Sequence, residues 1–551
     1  MAASRLLPAL LLAALAAAPA AAQDPEPGDP RVPSLTPREF EIRGEVRVAL
    51  PQIERQPLSG FGPPPRTYVV PADRTALTGA YDPDVDALPP YVLAPPAEPE
   101  AELPVGRTLR AEGTFGADGG RTGRFDLVAP VASGAFTADV DYDGVGWSTD
   151  LTGLAYDRLD AQAEIKTGGQ VQFGLGGGFY LDRYGMPGVR EFQNLAENPL
   201  RRLTRATGHA SLEGLGATPF ALELSYAADR FGPADDADAV VLGETQSAGH
   251  VDARGRVTFF QRLRLDAGAG TVGLDGGLGE DAQYAGGGGA LVFARPGGFE
   301  LAIGARALGY RVAAANGDGD ATAVAPIVDL SLPLGPGTRL FASNDPQIIA
   351  RGLGDLALVN PFVTDRPVVA PDLLRVNARV GAEVASGRAR LRGYAHYTEA
   401  PTYLLFERGP DGRFLEGYES VRIQGITGEA SVIVASGVSL EAGVTFRDGE
   451  IADNGGTIPY FSPFVARAGV QIPFSRGRVG LTAYREAERP ADRFDGTEAE
   501  AFALLSADAR YDLTRSFSLL LQADRLAGSV EEWPGYRLPG ITIRGGLRLT
   551  L

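Results

Sequence analysis

The sequence has no cysteine, only three histidines, two tryptophans and two methionines, and no surplus of positive charge. Each shortage removes a class of answer. A formal net charge of -18 argues against nucleic acid as a partner, because phosphate demands a basic surface. The acidic excess instead keeps exposed loops and an interior hydrated, or reflects adaptation to salt. His209, His250 and His396 stand apart from one another, so no transition-metal centre is legible. No local motif pairs any of them with Ser, Asp or Asn as a hydrolase requires, and no cofactor motif is found. Past the N-terminal region no apolar run approaches the ~18 residues of a membrane-crossing helix.

What is present begins with an export signal. Arg5 supplies a positive start, Leu6–Ala18 a short Leu/Ala run, and Ala20-Ala21-Ala22 the small residues of a cleavage site, so residues 1–22 read as a signal peptide. The run is too short to span a bilayer, although an uncleaved anchor is the alternative. An exported chain of 551 residues without cysteine holds its fold without disulfides.

Residues 23–105 follow, with about eighteen of the 41 prolines, among them Pro63-Pro64-Pro65, Pro89-Pro90 and Pro95-Pro96. Such a segment is extended and cannot pack a core of its own. Phe40, Ile42, Val46 and Val48 alternate with polar residues, which predicts one short strand inside it.

From residue 106 onward the period is two. Phe136, Ala138, Val140 and Tyr142 alternate with polar neighbours, as do Phe220, Leu222, Leu224 and Tyr226. The C-terminal half reads as hairpins. Val376 to Val384 turns at Ser386-Gly387 and returns as Ala389 to Tyr397; Ala430 to Val434 turns at Ser436-Gly437 into Val438 to Phe446. The pattern repeats around Arg476-Gly477 and around Thr514-Arg515. Connections alternate between about two residues and long acidic, Gly- and Pro-bearing links such as 447–461 and 485–500, and the last residues alternate again from Ile541 to Leu551. Short turns on one side, long loops on the other and a closing strand predict an all-β fold, a transmembrane antiparallel β-barrel over 106–551. At ~10 residues per strand plus connections, it has roughly 16 to 20 strands. A soluble all-β sandwich is the competitor.

The stretch from Asn360 carries Asn360-Pro361-Phe362, then the paired stripes, then Trp533-Pro534-Gly535-Tyr536-Arg537-Leu538-Pro539-Gly540 and the final Gly545-Gly546-Leu547 strand. In these features the chain resembles the barrel of TonB-dependent outer-membrane receptors. The resemblance implies a solute-binding or solute-passing barrel in a Gram-negative outer membrane, in contact with lipid and lipopolysaccharide. Those receptors carry a globular plug of well over a hundred residues, whereas about eighty Pro-rich residues precede this barrel, so the resemblance is to a plug-poor relative. Glu45-Val46-Arg47-Val48-Ala49-Leu50 is similar to the extended segment by which such receptors engage TonB through strand addition, which makes it the partner-binding candidate.

Other candidates come from spacing. Arg388, Arg390 and Arg392 project to one side of a strand; facing the lumen they line a path for an anionic solute or pair with acids on adjacent strands. Asn316, Asp318 and Asp320 space oxygen ligands as calcium loops do, with Asp235, Asp236 and Asp238 as a second acidic cluster, although a solvated outer loop explains both. Gly174–Gly178 and Gly286–Gly289 resemble phosphate loops only superficially, since no helix follows. The functional expectation is a non-enzymatic outer-membrane barrel that binds or transports a small solute. A structural or assembly barrel partnering a periplasmic protein, and an outer-membrane hydrolase, are the alternatives.

Overall fold

The computed structural model describes residues 108–551, except 117–119, 132–133, 146–155, 196–197, 217, 235–242, 261, 275–281, 295–297, 315–316, 366, 435–436, 494–495, 497, 527–530, 534 and 538–540. The export signal, the Pro-rich stretch and the Glu45–Leu50 candidate therefore lie outside the described residues.

Alternating stripes make strands, and the strands make one closed antiparallel barrel of 22. Each pairs with its neighbour in sequence, and the ring closes where the first strand, Thr108–Gly116, pairs with the last, Thr542–Thr550. Arg110 stands opposite Thr550 and Gly116 opposite Arg544 at that seam. Closure leaves no open edge, which is what hydrocarbon requires. The count exceeds the expected upper end of 20 for a physical reason. In strands such as Ala282–Ala294 the central Gly286 to Gly289 have no side chains to mark a stripe, yet they pair without a register shift with both neighbours. The Gly runs are thus barrel wall.

The stripes face outward. Leu222, Leu224, Tyr226, Val380, Leu391, Leu521, Ile543 and Leu547 are all exposed rather than sheltered in a packed interior. On Ala389–Arg408 the apolar face runs from Ala389 to Tyr397 and ends at Glu399. That is about 27 Å along the strand and about 20 Å vertically at the usual tilt, close to the ~25 Å band of an outer-membrane barrel. Phe173, Phe259, Phe293, Phe474, Tyr511 and Phe517 sit within a few residues of the short turns, and Phe474 and Tyr511 stack at 6.4 Å. They form an aromatic girdle at one interface. No helix among the described residues is long and apolar enough to cross a membrane.

The short turns lie at the end of the barrel that holds Thr108 and Leu551, and the long connections at the other. Ala389–Arg408 and Phe414–Ile433, 20 residues each, overshoot the apolar band toward the long-loop end. The largest buried apolar cluster gathers there, from the far ends of strands and from loops.

Candidate functional site

The site is a lid on the long-loop mouth, built chiefly by residues 345–375. This strap leaves the thirteenth barrel strand, Thr338–Asn344, and returns to the fourteenth, Val376–Ala385. Gln347–Ile349 pairs with Asp372–Leu374 as its two-stranded base. Between them lies helix α1, Leu353–Val359, in which every residue is buried. A helix apolar nearly all round must be covered on all sides. The Gly352 N–H donates to Asp355 Oδ2 at 2.7 Å across the first turn. At the other end Pro361 halts the helix, and Asn360 Oδ1 accepts from the Phe362 N–H at 2.9 Å.

Helix α1 packs on the sixth to eighth strands, Leu200–Gly214, Phe220–Pro233 and Gln246–Phe259, five to seven places around the ring from the strap's own roots. The strap therefore crosses the mouth. Three charged contacts tie it down, the first two buried and the third partly so. Asp355 pairs with Arg205, whose Nε also lies 3.6 Å from Asp229 Oδ1. The Gly354 N–H donates to Asp229 Oδ2 at 2.8 Å, and a Cβ on Gly354 would lie 2.4 Å from that carboxylate, so only glycine fits. His250 Nδ1 is 3.7 Å from Asp355 Oδ2, and its Nε2 is 3.0 Å from the Tyr284 hydroxyl, which donates to Asp252 at 2.6 Å. Burial opposes the charge of Asp355, but the Arg205 guanidinium and His250 outweigh it and hold the carboxyl well below the usual carboxylate range.

The second tie is Arg351–Asp372 at 2.6 Å, both fully buried, with Asp372 Oδ1 also accepting from the Leu404 N–H at 2.8 Å. The third is Asp365, which joins Arg201 at 2.5 Å and also Arg413.

An aromatic latch completes the lid. Helix α2, placed earlier in the chain at Pro187–Gln193 after the fifth strand, meets the hairpin tip around Gly412 after the fifteenth. Those strands are ten places apart in a ring of 22, so opposite walls meet through their loops. Phe362 of the strap stacks on Tyr536 at 3.5 Å, and the Tyr536 hydroxyl donates to the Gly412 carbonyl at 3.1 Å. Trp533 stands 4.9 Å from both Phe414 and Tyr460. Burial pushes the Tyr460 hydroxyl up to about 12. Contact is close because Gly188, Gly412 and Gly535 meet here; a Cβ on Gly188 would lie 2.5 Å from the Tyr536 ring, and Gly412 and Gly535 have φ of +82° and +86°.

The residues singled out by spacing lie elsewhere. Arg388 sits exposed in a short turn. Arg390 and Arg392 face inward from Ala389–Arg408: Arg390 pairs with Glu383 at 2.9 Å, and Arg392 lies 5.2 Å over Phe341 and 5.3 Å over Tyr394. Inward arginines are thus partly matched to acids on adjacent strands. Asn316, Asp235, Asp236 and Asp238 lie outside the described residues, as does the side chain of Asp318; Asp320 is exposed and opposite Arg311 in register. Among the described residues no group of three or more His, Asp or Glu is placed to hold a metal ion. Spacing missed the strap. Its signals were a helical run, Leu353 to Val359, set between strand stripes, and the Asn360-Pro361-Phe362 that carries part of the resemblance.

Apolar outer wall, polar inner face and covered mouth together define a large closed antiparallel β-barrel. No family model and no curated protein matches the chain. Its fold is that of the TonB-dependent receptor barrels. It is similar to the FrpB iron transporter from Neisseria meningitidis, with a TM-score of 0.62 at 12% identity over 81% of this chain and 82% of that one. It is also similar to the copper transporter OprC, with a TM-score of 0.59 at 14% identity over 81% and 80%. A third similar structure is the siderophore receptor PirA from Acinetobacter baumannii, with a TM-score of 0.57 at 9% identity over 82% and 81%.

Proposed function

We propose that the protein sits in the outer membrane of a Gram-negative cell and passes a scarce solute inward through a lumen kept shut from outside by the strap and latch. The observation that carries this reading is the lid itself. An open pore needs no buried ion pairs across its mouth, whereas a carrier that must hold back other solutes does. The names of the similar structures, iron transporter, copper transporter and siderophore receptor, make metal chelates the first solutes to try. Energy coupling would enter through the periplasmic side, with Glu45–Leu50 as the strand added to TonB.

Two measurements test this. The full chain in a planar bilayer should be nearly silent until a solute that it carries is added on the lid side; conductance independent of any solute, or none under every condition, rejects a gated carrier. Deleting residues 38–50 should abolish uptake in cells while leaving solute binding intact; uptake that persists rejects coupling at that segment.

A further inference from the structure

Below the lid, the inner faces of four neighbouring strands carry one row in register. Arg379 on Val376–Ala385 stands opposite His396 on Ala389–Arg408, His396 opposite Gly425 on Phe414–Ile433, and Gly425 opposite Arg447 on Ser439–Ile451. All three polar side chains are at most 9% exposed. Among the described residues neither ring nitrogen of His396 has a hydrogen-bond partner. The imidazole lies over Gly425, where a Cβ would stand 2.6 Å from its Cε1 and 2.7 Å from its Nε2.

Along these four strands the described residues in the adjoining inner-face rows are uncharged. Toward the short turns the next row holds Tyr394, whose ring is 6.1 Å from that of His396, then Thr427 and Thr445, whose hydroxyls are 3.1 Å apart. Toward the lid lie Thr398, Ile423, Ile458 and Phe461, with the Arg447 guanidinium 4.5 Å over the Phe461 ring and its Nε donating to the Ser462 carbonyl at 2.7 Å. On the inner faces of these four strands the nearest carboxylates are Glu383 and Glu429, four residues nearer the turns and so about 13 Å away. In the other direction the row continues through Ser343 to Asp329, which lies 3.8 Å from Arg264.

A buried imidazole with both nitrogens unmet costs about 1–3 kcal/mol for each group left unsatisfied. A guanidinium offers only donors, in a fork matched to carboxylate and phosphate oxygens. We infer that the Arg379–His396–Arg447 row is an oxyanion site, binding a phosphate or carboxylate group of the solute just beneath the lid. This rests on the transport reading and adds to it that the cargo is anionic. The His396 N–H and the two guanidiniums supply the donors, and Gly425 leaves the ring room to present its edge.

The test uses the full-length protein in detergent and inorganic phosphate as the probe, against chloride at equal ionic strength. Imidazole resonances are followed by NMR, with His396→Gln marking the one that belongs to the site. Phosphate should shift that resonance saturably, and Arg379→Gln and Arg447→Gln should each weaken the apparent affinity about tenfold, the loss of one charge-assisted contact. Arg476→Gln, exposed in a short turn, should change nothing. Folding is checked by migration as the intact barrel on an unheated gel. If an Arg→Gln variant fails that check, the corresponding Arg→Lys, which keeps the charge and loses the fork, takes its place. A shift matched by chloride, or untouched by the Arg379 and Arg447 variants, overturns the site. In that event solute-gated conductance would still stand, so the inference can fail while the transport reading survives. A phosphate response in a barrel that never conducts would sink the transport reading and keep the site.

Discussion

A carboxylate on a short buried helix is an expensive thing to keep, and Asp355 is kept by Arg205, His250 and the Gly352 N–H together. Removing one member of such a buried pair typically costs about 3–5 kcal/mol, because the partner is left charged and dry. Asp355→Asn should therefore lower the free energy of opening the strap by about 3 kcal/mol. Amide exchange at Leu356 and Asn360, which bond back to Gly352 and Leu356, reports that opening. Unchanged exchange would mean that the strap is not held there. The pH dependence has a definite sign. The folded carboxyl lies below its unfolded value of about 3.9, so the tie is fully present above that value and is lost as pH falls through the folded one. Protection factors at Leu356 should be flat above about pH 5 and decline in acid, and should show no such decline in Asp355→Asn.

At the level of the element, the strap is an inner cross-piece with a stem and a head, and the two respond differently. The stem pair Arg351–Asp372 is fully buried, so Arg351→Met alone should destabilise by about 3 kcal/mol or more. Arg351→Met with Asp372→Asn should regain most of that, because the amide still accepts from the Leu404 N–H and no lone charge remains. The temperature at which the folded gel band disappears distinguishes them; a double variant as unstable as the single one would contradict this account. The head can be locked. A Cβ at Gly352 would stand 3.4 Å from the His250 Cβ, close to disulfide geometry, in a chain that has no other cysteine. Oxidised His250→Cys/Gly352→Cys should block solute-gated conductance and recover it on reduction. Equal conductance in both states would show that solute passes without moving the strap. Little of this was legible beforehand. The barrel hairpins announced themselves because lipid on one side and water on the other force period two, as in Val376 to Val384. The strap carries no such period: Leu353 to Val359 is apolar because it is enclosed, and what encloses it comes from strands more than a hundred residues earlier. The Arg379–His396–Arg447 row was equally hidden, since register across four strands joins residues that are distant in sequence.

At the scale of the whole molecule everything depends on the ring closing at one seam, and the seam supplies its own control. Gly546 on the last strand faces inward between Arg544 and Arg548, and a Cβ there would lie 2.0 Å from the Gly113 carbonyl oxygen on the first strand. That obstacle is backbone and cannot swing aside. Gly545, one residue earlier, faces the lipid with nothing within 4 Å of its would-be Cβ. Both are glycines in the same strand, with the same propensity cost, so their difference isolates closure from strand formation. Gly546→Val should sharply reduce the fraction that migrates as the folded barrel on an unheated gel, whereas Gly545→Val should fold as wild type, since it adds only apolar surface to the lipid side and β-propensity to the strand. If both fold equally well, the first and last strands are not paired in this register. If both fail, the wall is intolerant of side chains at this point for reasons other than the seam. Only the asymmetric result ties the stability of the barrel to this pairing, and with it the rigid rim from which the strap is hung.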